Sequence, residues 1–296
     1  MTATALLLYF EDEHESALRL AGAAALVSAP IGRHRFPDGE FKLRLPASLP
    51  ESVVLLRTLE HPNEKLVELL LAARTARELG ARHLTLVAPY LAYMRQDVAF
   101  LPGEAVSQRI VGRFLADLFD AVITVDPHLH RIATLREAIP VPHAIALTGA
   151  ALLADLIAGR RQRPLLVGPD AESAQWVAQA AARHGFDHAV CRKVRHGDRD
   201  VEIELPPVNV AGRAVVLLDD VASTGQTLAS AARLLLAARA ASVDVAVTHA
   251  LFAGDALQVI LDAGVGEVWS TDCISHSSNA VSVAPLIAAA LSGITH

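Results

Sequence analysis

Residues 215–227, VVLLDDVASTGQT, set two adjacent carboxylates at the end of an apolar run and follow them with three hydroxyls and a glycine. The run Val215–Leu218 reads as a buried strand that carries Asp219 and Asp220 to a sheet edge, and a tight turn then brings Ser223, Thr224, Gly225, Gln226 and Thr227 to the start of a helix. Backbone N–H groups at a helix amino terminus point outward unpaired, and the helix dipole favours an anion there. Ser223, Thr224 and Thr227 add donors, and Gly225 lets the backbone approach a phosphate with no side chain in the way. Two carboxylates nearby suit the vicinal hydroxyls of a sugar or a magnesium ion. Together these residues describe a site for a phosphorylated sugar; the bland alternative is a Ser or Thr that caps a helix beside two solvated acids.

The elements that must position such a site repeat along the chain. Short apolar runs bounded by turn residues alternate with alanine-rich stretches of helical period, the pattern of an α/β fold with largely parallel sheets and helices on both faces. Strands are predicted at 53–57, 83–88, 121–125, 165–168, 214–218, 243–249 and 266–270, and helices at 63–79, 104–117, 149–159, 171–184 and 224–239, with a short one after Gly254. AVITVDPH at 121–128 echoes AVVLLDDV at 214–221, and TLVAPYL at 85–91 echoes LLVGPDA at 165–171. A duplication would give two similar domains, 1–148 and 149–296, with a terminal helix over 283–293 that can pack back on the first. Ligands of open parallel sheets collect at the carboxyl ends of the strands, where all four segments place their polar residues.

Composition removes other classes. A chain of 296 residues has room for about two domains, and one this long buries enough surface to need no disulfide or metal staple. Cys191 and Cys273 have no zinc spacing and make no disulfide framework, which suits a reducing cytoplasm. A formal charge of −6 argues against a nucleic-acid partner. The amino terminus lacks a basic stretch before its apolar run. The apolar core of the last 24 residues is too short to span a membrane. No Walker sequence is present, which argues against a P-loop kinase.

The segment 215–227 resembles the ribose-phosphate loop shared by phosphoribosyltransferases and ribose-phosphate diphosphokinases. RFPDGEFKLRL at 35–45, PNEKLVELLL at 62–71, YMRQDVAFLPGEAVSQRIV at 93–111 and ITVDPHLHRI at 123–132 occur in the order and spacing of the diphosphokinases, so the resemblance covers nearly the whole chain. It implies two tandem phosphoribosyltransferase-like domains, an amino-terminal one on the ATP side and a carboxyl-terminal one for ribose 5-phosphate. It further implies Mg²⁺, ATP as co-substrate, and a homo-oligomer of at least two subunits, because the family's Phe-Pro-Asp-Gly-Glu stretch reaches the ATP base of a neighbour. That stretch is Phe36, Asp38, Gly39 and Glu40 here. Arg95 and Gln96, with Asp97 adjacent, match the family's ATP contacts, and His128 and Asp170 its magnesium positions, with His130 the competing histidine. Lys193 and Arg195 match the basic pair of its catalytic loop, and Arg195, Asp219, Asp220 and Ser223–Thr227 its ribose 5-phosphate contacts.

Three departures from the commonest bacterial pattern mark a divergent or archaeal-type branch. STGQT stands where Asp-Thr-Gly-Gly-Thr is usual; GPDAES replaces Ser-Pro-Asp-x-Gly-Gly; and VAFLPGEAVS after Asp97 is poorer in basic residues than the branch regulated by phosphate and ADP. The sequence leaves three alternatives open: an inactive regulatory relative, phosphoribosyl transfer to a base, and diphosphoryl transfer to another sugar phosphate.

Overall fold

A computed structural model describes residues 5–129, 131–195 and 201–294, with the side chains of 194–195 and 201–202 outside that description. Two compact units emerge, one from Met1–Leu147 with Val283–His296 and one from Thr148–Ser282.

The first unit runs β1 (Leu6–Phe10), α1 (His14–Ala24), β2 (Val27–Arg35), β3 (Phe41–Arg44), β4 (Ser52–Leu56), α2 (Pro62–Glu78), β5 (His83–Val87), α3 (Ser107–Ala116), β6 (Ala121–Val125), α4 (Leu135–Ala138) and β7 (His143–Leu147). Its sheet has the order β3-β2-β1-β4-β5-β6-β7, parallel except for the β2–β3 hairpin. Central strands covered on both faces read as unbroken apolar runs: all five residues of β6 are buried, as are four of five in β4 and β5. Pro62 opens α2, a position that needs no N–H. Thr134 and Glu137 close a capping box on α4.

The second unit runs α5 (Ala150–Arg160), β8 (Leu165–Gly168), α6 (Ala174–His184), β9 (Asp187–Val190), β10 (Arg192–Arg195), β11 (Val201–Glu204), β12 (Ala214–Ala222), α7 (Gln226–Ala237), β13 (Ser242–Ala250), α8 (Ala256–Asp262), β14 (Val268–Thr271) and β15 (Asn279–Val281). Six strands form a parallel sheet in the order β15-β14-β13-β12-β8-β9, while β10 and β11 pair as a separate antiparallel hairpin. The chain then ends in α9 (Ala284–Ser292), which packs on α1 and β7 of the first unit. Among the described residues no helix is long and apolar enough to cross a membrane.

The α/β class with two units of one topology is what the sequence implies. Without β3 and the β10–β11 hairpin, β2-β1-β4-β5-β6-β7 and β9-β8-β12-β13-β14-β15 are the same order. A short 3₁₀ turn follows the first strand of each, at Glu11–Glu13 and Ala171–Ser173. The echoes picked out in the sequence nevertheless fall on strands that do not correspond. The 121–128 segment is on β6, the counterpart of β14, whereas 214–221 is on β12, the counterpart of β4; β5 and β8 likewise correspond to β13 and β1. The true counterparts β4 and β12 share the tetrapeptide VVLL, at 53–56 and 215–218.

Of the boundaries that differ from expectation, two bear on the site. The strand predicted to end at 218 continues to Ala222, so Asp219 and Asp220 are strand residues and not part of a turn. The helix predicted from 224 begins at Gln226, after Gly225 in the left-handed conformation.

Candidate functional site

In the second unit the chain leaves β8 toward β9 and leaves β12 toward β13, on opposite sides, so the neighbouring strands β8 and β12 flank the point where strand order reverses. The crevice outside the carboxyl ends of such strands is where open α/β sheets bind ligands. Asp170 follows β8, Asp219 and Asp220 lie in the carboxyl-terminal half of β12, and Ser223–Thr227 lead into α7. All these residues therefore stand at one sheet edge.

The floor under Ser223–Thr227 comes from the segment after β13, where the sequence marks only a short helix after Gly254. Past the regular ladder, Phe252 N–H donates to Ala222 O and Ala253 N–H to Ser223 O, both at 2.9 Å. Gly225, at φ +74°, lies against the start of α8: a Cβ there would stand 2.7 Å from Ala256 O and 3.0 Å from Ile260 Cγ1. The site thus needs glycine twice, for its backbone angle and for its close approach. With no side chain on this N-cap and no acid in the first turn of α7, the helix amino terminus presents N–H groups to an anion without a competing carboxylate.

The opposite side of the crevice is acidic. Enclosure pushes the Asp219 carboxyl well above the usual range, and the negative charges of Asp220 and Asp170 push it further. Asp220 is buried. Asp170 is anchored, accepting from Glu172 N–H at 3.0 Å while its carbonyl accepts from Ser173 Oγ at 2.6 Å. Among the described residues no three metal-binding side chains converge. A cation here would take most of its ligands from a substrate and water, the habit of magnesium.

Lys193 lies in β10, exposed, opposite Ile203 of β11. The hairpin starts beside Asp170: Cys191 N–H donates to Gly168 O at 2.9 Å, and burial, with the charge of Asp170, pushes the Cys191 thiol to about 11. Arg195 ends β10, but its side chain lies outside the described residues.

The first unit gathers a second set of predicted residues at the ends of β5 and β6. Arg95 is exposed, and the loop bearing it is stitched to α3, since Gln108 N–H donates to Gln96 O and Gln108 Nε2 to Met94 O, each at 3.2 Å. Asp97 accepts from Arg131 Nη1 at 2.6 Å, and the Arg131 guanidinium lies 5.8 Å from the centre of the Phe100 ring. Arg131, which the sequence did not mark, thereby ties the loop after β6, which carries His128, to the loop of Arg95 and Gln96. His128 is half-buried, and His130 lies outside the described residues. Phe36, Asp38, Gly39 and Glu40 form the turn between β2 and β3, closed by Phe36 N–H to Glu40 O at 2.8 Å and by Gly39 at φ +98°. Of the two predicted magnesium positions, His128 belongs to the first unit and Asp170 to the second.

Residues 6–118 match the N-terminal domain of ribose phosphate pyrophosphokinase, and residues 137–263 match the phosphoribosyl transferase domain. The chain is 36% identical over 280 residues to the ribose-phosphate pyrophosphokinase of Methanopyrus kandleri, covering 94% of this chain and 95% of that protein. It is 37% identical over 275 residues to the Methanosarcina mazei protein of the same name, covering 92% and 90%. A solved phosphoribosylpyrophosphate synthetase from Mycobacterium smegmatis shares the fold, with a TM-score of 0.85 over 98% of each chain at 24% identity.

Proposed function

Because the chain belongs to the ribose-phosphate pyrophosphokinase family, we propose that it transfers the diphosphoryl group of ATP to O1 of ribose 5-phosphate, giving 5-phosphoribosyl 1-diphosphate and AMP. The observation that carries the reading is the crevice of β8 and β12, where one strand end supplies an anion-binding helix terminus together with half-buried Asp219 and buried Asp220.

The 5-phosphate fits the amino terminus of α7, where Ser223, Thr224 and Thr227 supply hydroxyls and Gly225 and Gln226 backbone N–H groups. Asp219 and Asp220 are placed to accept from the vicinal sugar hydroxyls, which fixes the sugar and leaves O1 directed outward. O1 attacks the β-phosphorus in line: the O1–Pβ bond forms, the bond from Pβ to the bridging oxygen breaks, that oxygen leaves on the α-phosphorus as AMP, and the O1 proton passes to solvent. Such transfers depend on positioning and on neutralising phosphoryl oxygens, with little covalent work for the protein. Lys193, with Arg195 of the same strand, supplies positive charge to the migrating group. Arg95 and Gln96 hold ATP, and Phe36 to Glu40 reach its base from a neighbouring subunit of a homo-oligomer.

The acidic side of the crevice fits a divalent cation, because burial and then the charges of Asp220 and Asp170 raise the Asp219 carboxyl, and a cation bound with substrate and water relieves that repulsion. When bound, Mg²⁺ screens phosphate charge and polarises the phosphoryl oxygens. Asp170 of the second unit and His128 of the first are each proposed, separately, as a group that would hold magnesium. Incubation with ATP, MgCl₂ and ribose 5-phosphate, followed by anion-exchange chromatography, is expected to give AMP and the diphosphate product in equal amounts. No AMP at any enzyme concentration would defeat the proposal, and turnover only with a different sugar phosphate would correct its substrate.

A further inference from the structure

The first unit has a crevice that corresponds to the one just described, outside the ends of β1 and β4. The turn there runs from Arg57 to His61, a left-handed N-cap residue at φ +50°, just as the turn after β12 ends on left-handed Gly225. This crevice is filled by the chain's own ions. Arg57, 1% exposed, follows the VVLL of β4 where Asp219 follows the VVLL of β12. Its Nη2 meets Glu68 Oε2 at 2.5 Å and its Nη1 meets Asp12 Oδ2 at 2.9 Å, with the guanidinium 4.6 Å from the Phe10 ring centre. Lys65 Nζ donates to Thr58 O at 2.9 Å and to Glu60 at 2.6 Å.

One carboxylate of this group leads elsewhere. Glu68, itself 1% exposed, accepts from Arg57 with one oxygen and from Arg33 Nη1 with the other, also at 2.5 Å. Arg33 belongs to β2, and one turn of α2 earlier Glu64 takes Arg35 of the same strand at 2.7 and 3.3 Å. Arg35 in turn lies 5.6 Å from the ring of Phe41, at the start of β3. The β2 leg of the hairpin that presents Phe36–Glu40 is therefore tied to α2 through buried Glu68 and exposed Glu64, and the β3 leg is joined to it by the Arg35–Phe41 contact. Stability alone is a weak reason for such a network, since well-packed apolar residues often do as well, whereas fixing the register of an element is its best-attested use.

We propose that Glu68, with Arg33 and Arg57, is a positioning element for the β2–β3 hairpin, so that the first unit's own crevice, plugged by Arg57, holds in place a turn that serves ATP. The inference rests on the ATP reading of Phe36–Glu40 given above. Steady-state kinetics on the full-length protein separate the two ideas. Arg33→Met, at a partly exposed end of the network, is expected to raise KM for ATP by about 10- to 100-fold, the scale of one lost charged hydrogen bond, and to leave KM for ribose 5-phosphate within about 2-fold. Arg33→Lys should recover part of the loss, and Glu68→Gln, which keeps the volume, should repeat it. Phe36→Ala serves as the reference for the turn itself. If Phe36→Ala raises KM for ATP and Arg33→Met does not, the positioning role is overturned alone. If neither variant moves it, the ATP reading of the turn falls as well. A parallel rise in both KM values with a drop in Tm would reduce the network to a structural one and overturn the proposal.

Discussion

Replacing Gly225 by alanine isolates the geometric demand that the phosphate-binding turn makes. The residue sits at φ +74°, a region that costs a residue with a Cβ about 1–2 kcal/mol. Gly185, which ends α6 in the same unit at φ +66° with nothing within 4 Å of an added Cβ, carries this term alone and is the internal control. At Gly225 the new Cβ would also meet Ala256 O at 2.7 Å, a backbone atom that no rotamer change can move. Overpacking of this kind adds about 1–3 kcal/mol. Gly225→Ala should thus lose about 2–5 kcal/mol, against about 1–2 for Gly185→Ala, by urea unfolding. Relief of the contact moves the amino terminus of α7 away from α8, so KM for ribose 5-phosphate is expected to rise about 10-fold in Gly225→Ala, equivalent to about 1.4 kcal/mol of binding, and to stay unchanged in Gly185→Ala. Equal destabilisation by the two substitutions, or an unaltered KM in Gly225→Ala, would refute the claim that this turn is held by close packing for phosphate.

Lys193→Ala is expected to lower turnover by about 10³-fold, on the order of 4 kcal/mol of transition-state stabilisation, with binding of ribose 5-phosphate by calorimetry unchanged. Asp219→Asn removes a carboxyl that burial and the charges of Asp220 and Asp170 push upward; the variant should melt no lower than the parent without metal, should gain little from MgCl₂, and should turn over about 10²-fold more slowly. Glu13, facing Arg57, Lys65 and Asp12, has its carboxyl pushed to about 8, chiefly by burial. Between the ordinary range and that value the unfolded chain releases a proton that the folded one keeps, so stability falls as pH rises from about 5 to about 8. Glu13→Gln should remove a fall on the order of 3 kcal/mol, read as denaturation midpoints at the two pH values.

How much of this was legible in the sequence depended on how strongly each element declares itself. Val215–Leu218, Ala121–Val125 and Val53–Leu56 are buried on both faces, so their continuous apolar runs announce central strands. The strand β2 was not legible, because VSAPIGRHR is mostly exposed and its hairpin is held by the ion pairs of Arg33 and Arg35. The strand β12 was cut short at Leu218 because two aspartates are poor strand formers, yet pairing with β13 carries the ladder on to Ala222. The acidic pair and the STGQT turn were visible as residue types. Their floor was not, since Phe252, Ala253 and Ala256 act through backbone atoms. Arg131 was invisible for a related reason: its partner, Asp97, is 34 residues away, and only the fold brings the two loops together.

In the proposed reaction O1 of ribose 5-phosphate attacks phosphorus and keeps its bond to carbon. Phosphorus NMR of a reaction with ATP, MgCl₂ and [1-¹⁸O]ribose 5-phosphate reads this directly. Retention of ¹⁸O between C1 and the diphosphate, seen as an isotope shift on the attached phosphorus, with AMP formed in equal amount, is the predicted result. Loss of the label from the product, or formation of ADP in place of AMP, would contradict it.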